Sequence, residues 1–387
     1  MLRVLTLASL YPTRERPGFG IFVERQTHAL AALPEVEVQV VSPVGLPPWP
    51  LSLHPHFSGP RRLPERETLN GISVHRPRFR SLPGPLRRRN GKAMAEALIP
   101  FLRELRKSFE FDAVDAEFFW PDGVAAGHLA GALGVPFSIK ARGSDVHYWG
   151  GQSGIRSQIV ETGRSADGLI AVSAALKEDM ARLGLPRAKI RVHHTGVDLE
   201  LFRPMGRASA KRKLGVEGPL LVSVGALIPL KGQRLVIDAL DHLPGATLIL
   251  VGDGPERDAL EREAARHGGR VRFLGERPQS ELPELLTAAD AMVLPSEREG
   301  LANVWVEALA CGTPIVISDA GGALEVVDRP EAGRITARDP SAIAEAVKAI
   351  LAHPPEPGAV RKAAERFSWE RNSRELFEHL SGLVQGH

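Results

Sequence analysis

Short apolar runs alternate with helix-patterned segments along almost the whole chain, and the alternation runs twice. In the first pass, Leu2 to Ala8, Val36 to Val41, Ala113 to Ala116, Pro136 to Ala141 and Gly168 to Val172 read as strands, with helices over Ile21 to Leu33 and Gly91 to Lys107. Around Ile190 to Asp198 the rhythm pauses, and Phe202-Arg203-Pro204 with Gly206 reads as a linker. It then restarts with strands at Leu220 to Val224, Thr247 to Val251, Val271 to Leu274, Ala291 to Leu294 and Pro314 to Ile317. Helices fall between them at Gln233 to Leu240, Glu256 to Arg266 and Glu281 to Ala289, and the chain reads as mostly helical thereafter. Apolar strands separated by helices form parallel βαβ units with both sheet faces covered. With 387 residues the chain is too long for one core. The expectation is therefore α/β, with two consecutive doubly wound parallel-sheet domains. Ligands of such sheets bind beyond the carboxyl ends of the strands, so the cleft between the two sheets is the expected site.

Several function classes fall away on composition. The single cysteine, Cys311, rules out a disulfide framework and a cysteine-ligated zinc site, and between small residues at a helix end it reads as a buried hydrophobe. No apolar segment approaches the length that spans a bilayer. The N-terminal apolar run is broken early, by Tyr11-Pro12-Thr13-Arg14, and reads as a strand rather than a signal peptide. The expected location is cytoplasmic, with peripheral contact at the inner membrane face.

That contact is suggested by charge. Residues 1–198 carry 26 Lys/Arg against 19 Asp/Glu, the remainder 23 against 27. Ten of those cations lie in residues 61–92, against Glu65 and Glu67 alone. The block is laced with proline, so it reads as exposed loop and edge structure, either simply solvated or facing anionic lipid. Nucleic acid is not expected, because aromatics are only 5% of residues and none forms a stacking platform among these cations.

Residues 299–307, Glu-Gly-Leu-Ala-Asn-Val-Trp-Val-Glu, carry the most function. Glu299 stands in a loop after the strand at 291–294. Glu307 stands eight positions on, read as two turns into a helix that ends at Cys311-Gly312. A helix start flanked by two carboxylates suits a diphosphate and a sugar held together. Gly225-Ala226-Leu227-Ile228-Pro229-Leu230-Lys231-Gly232 joins another strand to a helix and puts Lys231 beside helix-terminal amides, a phosphate-binding pattern or an ordinary exposed lysine. It is not a P-loop, since Gly-Lys-Ser/Thr is absent. Gly252-Asp253-Gly254-Pro255 lacks the third glycine of a dinucleotide fingerprint and reads as a tight turn with Pro255 at the first helical position. Arg142, Asp145 and His147 crowd a strand end, with Asp145 alternatively a cap. Gly18 and Gly20 in the first βα loop would admit a ligand close to the backbone. Asp115 and Glu117 form a weak candidate metal pair without a supporting histidine. Glu299 and Glu307 are not assigned as a glycosidase acid and nucleophile, because a loop-plus-helix separation need not set them across one bond.

Taken in order, the Glu-x7-Glu segment, the Gly-x5-Lys-Gly turn, Gly-Asp-Gly-Pro, Ala171-Val172-Ser173 and Thr195-Gly196-Val197-Asp198 resemble glycosyltransferase family 4, retaining enzymes of the GT-B fold. Gly18 to Val23 and Arg142-Gly143-Ser144-Asp145 are similar to the teichuronic-acid-biosynthesis branch. The resemblance implies an N-terminal acceptor-side Rossmann-like domain, 1–200 with the final helix at 367–387, and a donor-binding domain over 201–366. It implies transfer from a nucleotide-diphosphate sugar, such as a UDP-sugar, to a glycan or lipid-linked acceptor, without a metal ion or a resident cofactor. Glu307 would hold the ribose. Glu299, with the amides of Gly300, Leu301, Ala302 and Asn303, would hold sugar hydroxyls and diphosphate. Lys231, in the turn begun by Gly225, would neutralise the diphosphate, and Gly18 and Gly20 would approach it. Backbone near Arg277 would meet the base, and Arg142 and Asp145 would lie near the sugar.

Three positions depart from the family pattern. Ala226 stands where many members have an arginine on the diphosphate, Arg142 where many have histidine, and Thr195 where asparagine is commoner. Two other activities fit the same motifs: a nucleotide-sugar isomerase of the same fold, and a nucleotide-sugar-binding module without transfer.

Overall fold

The computed structural model describes residues 1–387 and divides them into two compact units, Met1–His194 with Trp369–His387, and Thr195–Ser368. The sequence reading put the corresponding limits at 200/201 and 366/367.

The N-terminal unit holds ten strands: β1 (Leu2–Leu7), β2 (Val36–Val41), β3 (Val44–Leu46), β4 (Arg66–Leu69), β5 (Ile72–His75), β6 (Arg78–Arg80), β7 (Ala113–Ala116), β8 (Phe137–Ala141), β9 (Gly168–Ala171) and β10 (Ile190–Val192). Eight form one sheet in the order β10-β9-β8-β7-β1-β2-β5-β4, parallel except for β4. Strands β7, β8 and β9 are buried at every residue, as a sheet covered on both faces requires. The order reverses between β1 and β7, so the switch point lies between those two strands.

The C-terminal unit contributes β11 (Leu220–Val224), β12 (Thr247–Val251), β13 (Val271–Phe273), β14 (Ala291–Leu294), β15 (Ile315–Ser318) and β16 (Gly333–Thr336), in the order β13-β12-β11-β14-β15-β16 and all parallel. Its switch point lies between β11 and β14. The core beneath pairs Leu221, Leu248 and Val293 of the sheet with Val236, Ile343 and Val347 of helices.

Four readings are corrected. The basic block at 61–92 is not simply exposed loop. It contains the hairpin β4–β5, turned at Asn70-Gly71 with φ of 47° and 87°, and β5 lies buried against β2. The Asn-Gly dipeptide between two short β-type runs was the available signal. Within the same block Arg76 is 1% exposed. It pairs with Glu67 at 2.8 Å and donates to the Pro12 carbonyl at 2.7 Å, pinning the first βα loop. Second, β16 falls in the stretch read as mostly helical; with only four residues, one of them Gly333, it leaves little apolar pattern to read. Third, the helix carrying Glu307 begins at Asn303, so Glu307 sits just over one turn in, not two. Fourth, the helix after Gly254 starts at Arg257, so Pro255 stands in the turn before it.

The final helix, Trp369–Gly386, lies on the N-terminal unit, where Leu376 and Leu380 complete a cluster with Leu2, Val4, Leu30 and Ile170. From the same helix His379 shares a buried 2.9 Å hydrogen bond with Ser138 of β8. No helix is long and apolar enough to cross a membrane.

Candidate active site

In the C-terminal unit, the loops after β11 and β14 meet at the switch point. Lys231 ends a 3-10 turn, Pro229–Lys231, and Gly232 follows in the left-handed region at φ 73°. A Cβ on Gly232 would stand 2.6 Å from the Pro295 carbonyl, so only glycine lets this loop lie against the next one. The Lys231 stem runs beside Gly225, and its ammonium donates to Glu299 at 2.5 Å. Lys231 remains 22% and Glu299 11% accessible at the side chain, so a ligand can reach both.

The helix Asn303–Ala310 starts immediately beyond Glu299. No side chain caps it at Ala302, leaving its first amides directed outward with the positive end of the helix dipole. Thr195 Oγ1 donates to Asn303 Oδ1 at 2.7 Å, holding the first helical residue. Gly322 N donates to Gly300 O at 2.8 Å and fixes the loop before it. Glu307 is 8% exposed and accepts from Gln279 Nε2 at 2.5 Å. Arg277 is committed locally, its Nε on the Leu274 carbonyl at 3.1 Å and a terminal nitrogen 3.5 Å from Glu281. Ala226 is exposed and carries no charge. The Gly-Asp-Gly-Pro turn has a structural explanation: a Cβ on Gly252 would stand 2.1 Å from the Gly225 carbonyl, because the turns after β11 and β12 cross backbone against backbone.

The N-terminal unit has its own polar cluster at the carboxyl ends of β7 and β8. Glu117, fully buried, accepts from Gln26 at 2.5 Å and pairs with Arg142; the buried Lys140 ammonium donates to the other end of Gln26. The Arg142 guanidinium lies 4.7 Å from the Phe22 ring centre and 5.8 Å from that of Phe118. Asp145 is 1% exposed and accepts from the backbone of Arg142, Gly143 and Phe119, so it ties the loop before it to the loop after β7 and does not cap the turn that follows. Burial raises its carboxyl above the ordinary aspartate range, and it pushes that of Asp122 up to about 7. Asp115 and Lys140 are each displaced toward the neutral form, chiefly by desolvation. Glu117 is thus held in an ion pair with Arg142, Asp115 lies buried beside it as a carboxyl displaced toward the neutral form, and no cluster of three or more His, Cys, Asp or Glu residues suits a metal. Gly20, at φ 73°, packs where a Cβ would meet the Leu10 carbonyl at 2.5 Å; Gly18 is exposed with open space around it.

Sequence reasoning missed Gln26, Lys140, Asp122 and Gln279. Lys140 had a visible signal, a cation inside the otherwise uncharged strand Phe137 to Ala141. Gln279 had none, because its partner Glu307 lies 28 residues away.

Two family matches cover most of the chain: Glycosyltransferase Family 4 over residues 18–201 and Glycosyl transferases group 1 over residues 206–367. The chain belongs to glycosyltransferase family 4. Among relatives, a Bacillus subtilis protein named as a teichuronic acid biosynthesis glycosyltransferase is 28% identical over 89% of this chain and 88% of its own length. A Mycolicibacterium smegmatis GDP-mannose-dependent phosphatidylinositol monomannoside mannosyltransferase is 32% identical over 59% of this chain and 65% of its own. Sucrose-phosphate synthase from Thermosynechococcus elongatus superposes with a TM-score of 0.78 at 20% identity, over 100% of both chains. Anabaena HepE, solved with UDP and glucose, gives 0.75 at 22%, over 98% of this chain and 100% of its own. The fold of this family 4 member is GT-B, two Rossmann-like units with parallel sheets. The chain is a glycosyltransferase.

Proposed function

We propose that this enzyme moves a sugar from a nucleotide-diphosphate sugar to a hydroxyl of a glycan or lipid-linked acceptor, with retention at the anomeric carbon and without a metal ion or resident cofactor. The observation that carries this reading is the Lys231–Glu299 pair at the switch point, 2.5 Å across, beside an uncapped helix start with Glu307 in its second turn. Breaking the bond from C1 to the diphosphate puts positive charge on the ring and negative charge on the leaving phosphate. Lys231 and the amides of Gly300 to Asn303 meet that charge, so they bind the transition state more strongly than the ground state. Glu299 takes sugar hydroxyls. Glu307, oriented by Gln279, takes the ribose, and backbone near Arg277 takes the base. The acceptor hydroxyl attacks C1 on the face the diphosphate leaves, and its proton passes to the departing phosphate oxygen. Neither carboxylate is posed as a nucleophile: Glu299 is paired with Lys231, and Glu307 is bonded to Gln279.

In the N-terminal unit, Gly18, Gly20 and Arg142 remain proposed donor contacts, and Asp145 positions the Arg142 backbone. A UDP-sugar is the first donor to try, given the UDP complexes of HepE, although the mycobacterial relative is named for GDP-mannose. The exposed arginines of residues 61–92 bring the enzyme to an anionic membrane surface, where a lipid-linked acceptor would lie. The test is turnover of a donor panel with an acceptor extract, read by the anomeric configuration of the product. Full turnover in both Lys231→Ala and Glu307→Ala sinks the donor site, and an inverted product sinks retention. Activity lost to a chelator and restored by a divalent cation sinks metal independence. The uncharged Ala226 favours one second reading, nucleotide-sugar binding without transfer, which tight binding with no product would support.

A further inference from the structure

Five large hydrophobics lie open to solvent in the N-terminal unit, three of them in one short segment: Trp49 at 77% exposed, Leu51 at 57% and Leu53 at 56%, with Leu86 at 47% and Tyr148 at 57%. The small sheet of β3 and β6 is where two of the segments that carry them begin. These strands are parallel, with Leu46 opposite Arg80, so the chain leaves both at the same end. From β3 it runs into Pro47-Pro48-Trp49-Pro50-Leu51-Ser52-Leu53. From β6 it runs into Leu82 to Leu86 and then Arg87-Arg88-Arg89. Arg87 lies 6.0 Å from the Trp149 ring centre, and Tyr148 stacks edge-on to Trp149 at 4.9 Å, joining the second segment to the aromatic pair.

The apolar tip is built to enter a medium without water. Part of its backbone is partnered internally: Ser52 N donates to Pro48 O, Leu53 N to Pro50 O at 2.9 Å, and His54 N to Leu51 O at 3.1 Å. Three prolines restrict it, so little chain entropy is lost on ordering. The sequence that follows it is cationic. No acidic residue occurs from 38 to 64 or from 68 to 95, while Arg61, Arg62, Arg80, Arg88 and Arg89 are all exposed. Apolar side chains led by a tryptophan and rimmed by arginines complement an anionic bilayer interface, which offers phosphate charge outside and hydrocarbon beneath.

We infer that Trp49, Leu51 and Leu53 insert into the interfacial layer of an anionic membrane, with Arg61, Arg62, Arg88 and Arg89 on the lipid phosphates around them. This rests on the membrane contact proposed above and adds to it an anchor outside the basic block. Neither signal alone holds a protein firmly at a bilayer; two together do.

The test uses the full chain with vesicles of phosphatidylglycerol and phosphatidylcholine, and with phosphatidylcholine alone. The wild type should float with the anionic vesicles at low salt and be released as salt rises. The variant Trp49→Ala/Leu51→Ala/Leu53→Ala should lose about tenfold or more in partitioning, while its unfolding midpoint stays unchanged. Acyl chains carrying bromine should quench the wild type's tryptophan emission, and Trp49→Phe should remove most of that quenching. Arg88→Glu/Arg89→Glu should bind weakly at low salt. If the triple variant binds as the wild type does, the insertion is wrong and the charge contact stands. No wild-type binding to anionic vesicles overturns both. A lipid-independent dimer abolished by the triple variant would make the surface a contact between copies and overturn the inference.

Discussion

Lys231 shows how one residue's work depends on two neighbouring glycines. Gly225 turns the backbone beside its stem at φ 156°, and Gly232 folds the loop onto Pro295, which brings the ammonium to Glu299. On the proposed mechanism Lys231→Ala removes a charged donor to the leaving phosphate, so kcat should fall about 10²- to 10³-fold, measured with saturating donor. Glu307→Ala should act differently. It deletes a hydrogen bond of a charged group to the ribose, about 1.5–3 kcal/mol, and should appear mainly as a donor KM raised about ten- to a hundredfold. A large kcat loss at constant KM would contradict the ribose role. Gly252→Ala tests the crossing of the two turns. Its Cβ would stand 2.1 Å from a carbonyl oxygen at φ 130°, so denaturant titration should show a loss of about 2 kcal/mol or more.

At the level of elements, the final helix is the clearest case of a segment held by distant partners. Its inward face carries Leu376, His379 and Leu380, and burial lowers the His379 imidazole from 6.5 to about 4. The unfolded chain therefore takes up the proton first as pH falls. The contribution of neutral His379 is fully present above pH 6.5, declines below it, and is gone near pH 4. Between pH 7.5 and pH 5 the loss is about 2 kcal/mol. Asp122 acts in the opposite sense: with its folded carboxyl near 7, its contribution is present at low pH and is lost as pH rises from about 4 toward 7. The readable quantity is thus the difference between wild type and His379→Gln in denaturant titrations at the two pH values, and equal slopes would reject the assignment. The elements differ in how legible they were. Strands β2, β7, β11, β12 and β14 were readable to the residue: β11, β12 and β14 are nearly continuous apolar runs in a covered sheet, and β2 alternates buried valines with Glu37 and Gln39. The edge elements β4 and β16 were not, since strands half open to solvent carry charges such as Arg66 and Arg334.

For the whole molecule, the two units share one construction, a parallel sheet whose order reverses once, with polar groups gathered at the reversal. Binding of the right donor should stabilise the folded protein by about 2.7 kcal/mol at a hundred times Kd, which is a shift of several degrees in the unfolding midpoint. UDP-, GDP- and ADP-sugars tested in parallel should separate on that scale, and no shift with any of them would count against a nucleotide-sugar donor. By itself, the sequence determined the two-fold α/β rhythm, the family, and the candidates near the ends of β11 and β14, because strand periodicity and turn chemistry are local. Only the tertiary structure decided that Lys231 pairs with Glu299, that Gln279 bonds Glu307, and that Glu117 pairs with Arg142. It also decided that an arginine of the basic block, Arg76, is buried against the first loop. These partners are 68, 28, 25 and 64 residues apart for Lys231–Glu299, Gln279–Glu307, Glu117–Arg142 and Pro12–Arg76. No local pattern encodes such pairings; parallel crossovers bring them together, and burial sets their charge.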